Sequence, residues 1–294
     1  MSRMAAASLA RPACFENTAF YAAKQGGRAI MDHLVRRKTA LVTGASRGIG
    51  FELACLLAAD GYDLVLVSRA SEELEKARQR LVEHGVSVRC YSKDLSKAGV
   101  ALDLWREVEG AGLAVDVLVN NAGSGIYGPL AQQDVSALSA MVELNVVALT
   151  TLTRLALPGM LERRWGRILN VASVVGYQPG GPRMAAYYAS KSYVLSFSKG
   201  VSRELDGTGV TVTALCPPTT RTSFEERSGA KRSILYRRLP VASPEAVARA
   251  GYRGMKRGAR VVLPGLSTKI LAFAGELPPR RLALEVNRLL LGEA

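Results

Sequence analysis

One stretch restricts the fold of this chain more than any other. The apolar run Thr39 to Val42 leads into Thr43-Gly44-Ala45-Ser46-Arg47-Gly48-Ile49-Gly50, and an apolar periodic segment follows from Phe51 to Ala59. This reads as a strand, a glycine-rich turn and a helix. Glycines let the backbone approach a bulky anion, and a helix N-terminus offers unpaired N–H donors with a partial positive charge. A plain turn would also use glycines, so the reading depends on what comes next. Short runs rich in Val, Leu and Ile lie at Asp63–Ser68, Val86–Tyr91, Val115–Asn120, Arg167–Val171 and Val210–Leu215. Helical patterns separate them, among them Glu72–Glu83, Val135–Leu157 and Ala186–Glu204. Such strands suit a parallel sheet buried on both faces. Their alternation with helices predicts an α/β fold with a doubly wound, Rossmann-type parallel sheet, its site at the C-terminal ends of the strands.

A second pattern carries chemistry. Tyr187 and Lys191 stand four residues apart in a helical segment, with Ser173 upstream. That spacing puts phenol and ammonium on one helix face. A nearby cation favours phenolate, so Lys191 is expected to lower the Tyr187 pKa and make it a usable acid or base. Tyr188 sits only three residues before Lys191 and is expected to point about 100° away around the helix, which leaves Tyr187 as the acid. Asn145, in the apolar stretch Glu143-Leu144-Asn145-Val146, would need a buried polar partner.

These features resemble the short-chain dehydrogenase/reductase family, in particular its bacterial ketoacyl-reductase-like branch, from about Thr39 to Pro264. The matching residues are Gly44, Gly48 and Gly50, Asp94-Leu95, Asn120-Asn121-Ala122-Gly123, Asn145, Ser173, Tyr187 and Lys191, and the stretch from Cys216-Pro217 to Thr222. The resemblance implies a nicotinamide-dependent oxidoreductase on one Rossmann-type domain. It implies that Tyr187 exchanges the proton, Lys191 also holds the nicotinamide ribose, Ser173 hydrogen-bonds the substrate oxygen, and Asn145 steadies a water behind the lysine. It further implies that Gly44, Ser46, Arg47, Gly48, Ile49 and Gly50 cradle the diphosphate. Asp94 and Leu95 would hold adenine, Asn120, Ala122 and Gly123 the adenosine ribose, and Pro217, Thr220 and Thr222 the carboxamide and diphosphate. Two departures stand out. Gly180-Gly181-Pro182 absorbs one extra residue between Ser173 and Tyr187, and Pro218 replaces a common glycine, which removes a backbone donor.

The second strand ends Leu66-Val67-Ser68-Arg69 with no acid at its tip. An acid there would bind the ribose 2′-hydroxyl of NAD. Arg69 and Arg47 instead suit a 2′-phosphate, because a guanidinium pairs well with phosphate. The expected cofactor is therefore NADP(H).

Charge is placed unevenly. Residues 39–220 carry 17 basic and 17 acidic side chains, while residues 1–38 carry a net +5 and residues 221–294 a net +9. No groove-reading or stacking motif accompanies this charge, so a nucleic-acid partner is not expected. The cysteines Cys14, Cys55, Cys90 and Cys216 show no metal or redox spacing, and His33 and His84 stand apart; no metal site is expected. No run of 18 apolar residues appears, and no membrane-spanning helix is expected.

The chain divides into a basic extension at 1–38, a catalytic domain at 39–264 with a lid at 221–242, and a tail at 265–294. Residues 1–30 fit an import presequence, a disordered arm, or a chain that starts at Met31. The lid mixes Arg227, Lys231, Arg232, Arg237 and Arg238 with Phe224, Ile234, Leu235 and Tyr236, a blend that suits an acidic, greasy substrate such as an acyl thioester. In the tail, Leu282, Val286, Leu289 and Leu290 recur at helical spacing beside Arg280, Arg281 and Arg288. Such a helix packs on the body or a sister subunit, or lies on an anionic membrane.

The expected protein is thus a cytoplasmic or membrane-peripheral homo-oligomer that reduces a hydrophobic ketone or 3-oxoacyl compound. The alternatives are a catalytically silent NADP(H)-binding regulator and an NAD-dependent alcohol dehydrogenase.

Overall fold

The structure, a computed structural model, describes residues 37–224, 228–230, 233 and 241–292. The expectations for residues 1–36 and for the lid cations Arg227, Lys231, Arg232, Arg237 and Arg238 fall outside the described residues.

Seven parallel strands form one sheet in the order β3-β2-β1-β4-β5-β6-β7. They are β1 (Thr39–Thr43), β2 (Asp63–Ser68), β3 (Val88–Ser92), β4 (Val115–Asn120), β5 (Gly166–Val171), β6 (Val210–Leu215) and β7 (Val261–Val262). Side chains alternate between the two faces of a strand, and both faces here are buried. Ala40, Val42, Leu64, Leu66, Val117 and Val119 enter one core, while Leu41, Val65, Val67 and Leu118 enter the other. This is why the strands read as continuous apolar runs.

Helices α1 (Gly48–Ala59), α2 (Ser71–Val82) and α6 (Pro244–Lys256) cover the first face. Helix α6 starts where Ser243-Pro244 suggests: the Ser243 hydroxyl accepts a bond from the Ala246 N–H at 3.2 Å, which satisfies one donor of the first turn. Helices α3 (Val100–Gly110), α4 (Val135–Glu162) and α5 (Ala185–Glu204) cover the second face. Strand order reverses between β1 and β4, whose partners Leu41 and Leu118 are in register. A crevice opens at such a switch point beyond the strands' C-terminal ends.

Helix α4 extends the expected Val135–Leu157 segment to Glu162. By length and composition its 28 residues would suffice to cross a membrane. In the fold, Leu152, Ala156 and Met160 pack against Leu118, Ile168 and Val212, so one face of the helix belongs to the core, although only 28% of its most apolar window is buried.

The tail forms α7 (Leu266–Glu276) and α8 (Arg280–Leu290), and of the packings left open by the sequence, its leucine face does not take the one against the body. Leu282, Val286 and Leu289 are exposed, whereas Asn287 and Leu291 are buried. On α7 the small residues Thr268, Ala272 and Gly275 face inward, and Leu266, Ile270 and Phe273 face out. Close approach explains the inner face: a Cβ on Gly275 would lie 2.6 Å from the Tyr177 carbonyl oxygen and the Gln178 amide nitrogen.

Candidate active site

A cleft of about 580 Å³ runs along the switch point from the glycine turn to Tyr187. Gly44 and Gly48 adopt φ of +64° and +60°, a region costly for other residues. A Cβ at Gly48 would meet the Thr222 methyl at 3.3 Å across the cleft. Gly50 serves packing rather than lining, because a Cβ there would sit 2.3 Å from the Gly44 carbonyl oxygen. Helix α1 has no acidic residue in its first turn and no side-chain cap, so its N-terminal donors face the cleft beside Ser46, Arg47 and Ile49.

At the far end of this polar arm stand Arg69, Asp94 and Leu95. Burial alone would raise the Asp94 carboxyl, but hydrogen bonds from Ser96 and the charge of Arg69 bring it below its ordinary value. Arg47 lies 3.3 Å from Glu73, so one of the two expected phosphate-facing cations is already paired. Ala122, Gly123, Pro217, Thr220 and Thr222 line the middle of the cleft.

Asn120 does not. Its amide nitrogen donates to Thr153 Oγ1 at 3.1 Å and to Asn170 Oδ1 at 2.9 Å, beneath the sheet's end. The preceding strand alternation turns it into the core, and Asn121 takes the lining position, donating to the carbonyls of Thr43 and Gly44.

Ser173, Tyr187 and Lys191 come together at the other end. Ser173 ends the loop after β5, where its Oγ accepts the Val175 N–H at 3.3 Å. That bond uses a lone pair and leaves the hydroxyl hydrogen for another acceptor. Lys191 Nζ donates to the Val171 carbonyl at 2.9 Å and lies 5.9 Å from the Tyr187 ring centre. Burial pushes the Tyr187 phenol up to about 12, opposed by its hydrogen bond with Ser173, and pushes the Lys191 ammonium down to about 8. Burial is the largest influence on both groups, and Ser173 is the partner that opposes it at the phenol.

Asn145 does not line the cleft. It is buried in a π-helical stretch of α4, Glu143–Ala148, a local widening that turns a side chain inward. Its Oδ1 accepts from the Ser124 N–H at 3.0 Å, and its Nδ2 donates to the Ser124 carbonyl and to Ser190 Oγ. It ties the floor beneath Gly123 to the helix that carries Tyr187 and Lys191.

Tyr188 is also a correction. It lines the cleft, its ring 6.4 Å from that of Tyr187. Gly181 makes room for it, since a Cβ there would lie 2.5 Å from the Tyr188 ring. Phe224 closes the same end at 5.2 Å from Tyr187. Gln178, Met184, Leu271, Asn287 and Leu290 complete the wall. Sequence reasoning placed Phe224 in the lid and missed the rest. The available signals were the extra residue at Gly180-Gly181-Pro182 and a lone Asn on a helix whose leucines suggested the opposite face.

The glycine cradle, the exposed helix start and the polar arm fit a dinucleotide, and the acid–serine–lysine group fits proton exchange at a small oxygen. The short chain dehydrogenase family model matches residues 38–233. A D-beta-hydroxybutyrate dehydrogenase of Cupriavidus necator is 35% identical over 63% of this chain and 71% of its own. Ketoacyl reductase HetN of a Nostoc species is 30% identical over 82% of this chain and 85% of its own. Among solved structures, a short-chain dehydrogenase from Sphingobium yanoikuyae in complex with NADPH superposes with a TM-score of 0.72 at 33% identity, over 81% of this chain and 92% of that one. The chain belongs to the short-chain dehydrogenase/reductase family. It is an oxidoreductase with a Rossmann-type nucleotide site, in a family that works with nicotinamide cofactors and small-molecule substrates.

Proposed function

We propose that the protein uses NADPH to reduce the ketone of a hydrophobic or 3-oxoacyl compound to a secondary alcohol. The observation that carries this reading is a buried Tyr187 phenol grouped with Ser173 and Lys191, at the apolar end of a cleft whose other end is a glycine cradle. A bound reduced nicotinamide would supply the hydride. Ser173 donates a hydrogen bond to the carbonyl oxygen as negative charge develops there. Tyr187 passes its proton to that oxygen, and the charge left on the phenolate faces the Lys191 ammonium. Asn145 keeps this helix and the Gly123 floor in register. Met184, Tyr188, Phe224 and Leu290 give the substrate end its apolar lining, and the ketoacyl reductase among the relatives supports the same substrate class.

The preference for NADPH rests on Arg69 and Arg47 in place of an acid at the end of β2, and on the NADPH-bound neighbour. NADPH oxidation measured against a panel of alkyl ketones and 3-oxoacyl thioesters tests the activity. Cofactor binding without oxidation of any of them would favour the silent regulator. Comparison of NADPH and NADH affinity in the wild type and in Arg69→Asp tests the cofactor; equal affinities in the wild type would favour the NAD-dependent reading.

We further propose a homo-oligomer assembled through α4 and α5, whose outer faces carry exposed Val142, Val147 and Tyr193. The tail would meet the surface of an anionic membrane from the cytoplasmic side. Leu266, Ile270, Phe273, Leu282, Val286 and Leu289 stand exposed there beside Lys269, Arg280 and Arg281, the mixture an interfacial helix needs. Light scattering reads the first proposal. Flotation with phosphatidylglycerol vesicles, lost in Ile270→Glu/Phe273→Glu, reads the second.

A further inference from the structure

The tail has an inner face as well as an outer one, and the inner face belongs to the substrate end of the cleft. Tyr127 Oη donates to the Leu291 carbonyl at 2.7 Å, across 164 residues of chain. Leu291 is buried with Met141, Met184, Tyr187 and Tyr188. Within this apolar setting one polar side chain stands out. Asn287 is 5% exposed and lines the same cleft as Ser173 and Tyr187.

Its orientation is fixed from both sides. Asn287 Nδ2 donates to the Gly180 carbonyl at 2.7 Å and faces Gln178 Oε1 at 3.5 Å. Gln178 is itself oriented, because its Nε2 donates to the Leu271 carbonyl at 2.8 Å. Backbone carbonyls only accept, so the nitrogen of each amide must face its carbonyl. This leaves Asn287 Oδ1 as an acceptor with no partner among the described residues. The residue is almost wholly buried, and it lines the cleft, so this acceptor is open to a ligand there. A ligand that brings a donor gains a hydrogen bond at this oxygen, and one that lacks a donor displaces its water without replacing the bond.

We infer that Asn287 is a specificity-determining residue: its Oδ1 accepts a hydrogen bond from an amide N–H or hydroxyl that the substrate carries away from its ketone. This rests on the carbonyl-reductase reading and narrows it to ketones with a second polar group. The loop Gly180-Gly181-Pro182, one of the two departures from the family pattern, and the tail together build this contact.

The test uses the full-length protein, NADPH and two probes. One is the N-acetylcysteamine thioester of 3-oxobutanoate, which carries an amide N–H. The other is ethyl 3-oxobutanoate, which carries no donor. Each variant is compared with the wild type on the same probe, so the intrinsic reactivities of the probes cancel. In Asn287→Leu, kcat/KM for the thioester should fall roughly 3- to 10-fold, mainly through KM, the size expected for one uncharged hydrogen bond. The ethyl ester should change less than about twofold on the same grounds. Tyr127→Phe loosens the tail without touching Asn287 and should move both probes alike. If Asn287→Leu does not fold, Asn287→Met offers a longer, unbranched and flexible apolar side chain and carries the same expectation. Equal losses on both probes, or no loss on the thioester, overturn the assignment and leave the reductase reading standing. A wild type inactive on both probes removes both.

Discussion

Tyr187 concentrates the chemistry at the residue scale. Tyr187→Phe removes only the hydroxyl and keeps the ring against Tyr188 and Phe224. Turnover should drop roughly 10²- to 10⁴-fold, the range for loss of a general acid, with NADPH affinity within about twofold by fluorescence titration. Retained turnover would reassign the acid. Lys191 sets the pH behaviour. Burial lowers its pKa from 10.5 to about 8, so the ammonium is lost on passing upward through that value, well before the phenol ionises. kcat/KM for the cofactor, which reports groups of the free enzyme, should fall above about pH 8; a profile flat to pH 10 would contradict this. The sign for stability is the reverse. Folding disfavours the charged lysine, so its penalty is full below the folded value and is relieved as pH rises from about 8 towards 10.5.

At the scale of elements, the inner face of α7 gives a direct test. Gly275→Val would drive a branched side chain into the Tyr177 carbonyl and the Gln178 amide. KM for the ketone should rise several-fold while NADPH affinity holds, read by steady-state kinetics and titration. The elements also show what the sequence could reveal. Strands β2, β4 and β6 lie where their apolar runs begin and end, because burial on both faces leaves a continuous signal. β3 starts at Val88 rather than Val86, and two-residue β7 is too short to announce itself. The glycine turn, Ser173, Tyr187 and Lys191 were legible because chemistry fixes their spacing. Asn120 was misplaced by one residue, since strand alternation decides which of two neighbouring asparagines faces the cleft. The π-helical turn at Asn145 and the buried side of the tail were hidden, because apolar periodicity says that a face is apolar and not what covers it.

The whole molecule rests on a sheet sealed from both sides. Leu41 is fully buried at its centre, on the central strand that also starts the cradle. Leu41→Ala should lower unfolding free energy by about 2–5 kcal/mol, measured by urea denaturation. Nucleotide affinity should weaken with it if β1 sets the height of the Gly44 turn. A stability change near zero would mean that the strand has collapsed onto the missing volume.

The Tyr127–Leu291 bond also ties the far end of the described chain to the loop that follows β4. The cradle, the acid and the lysine all precede Thr222 in sequence, whereas the wall beside them draws on Leu271, Asn287 and Leu290. Changes in the last thirty or so residues can therefore reshape the chamber while leaving the glycine turn untouched.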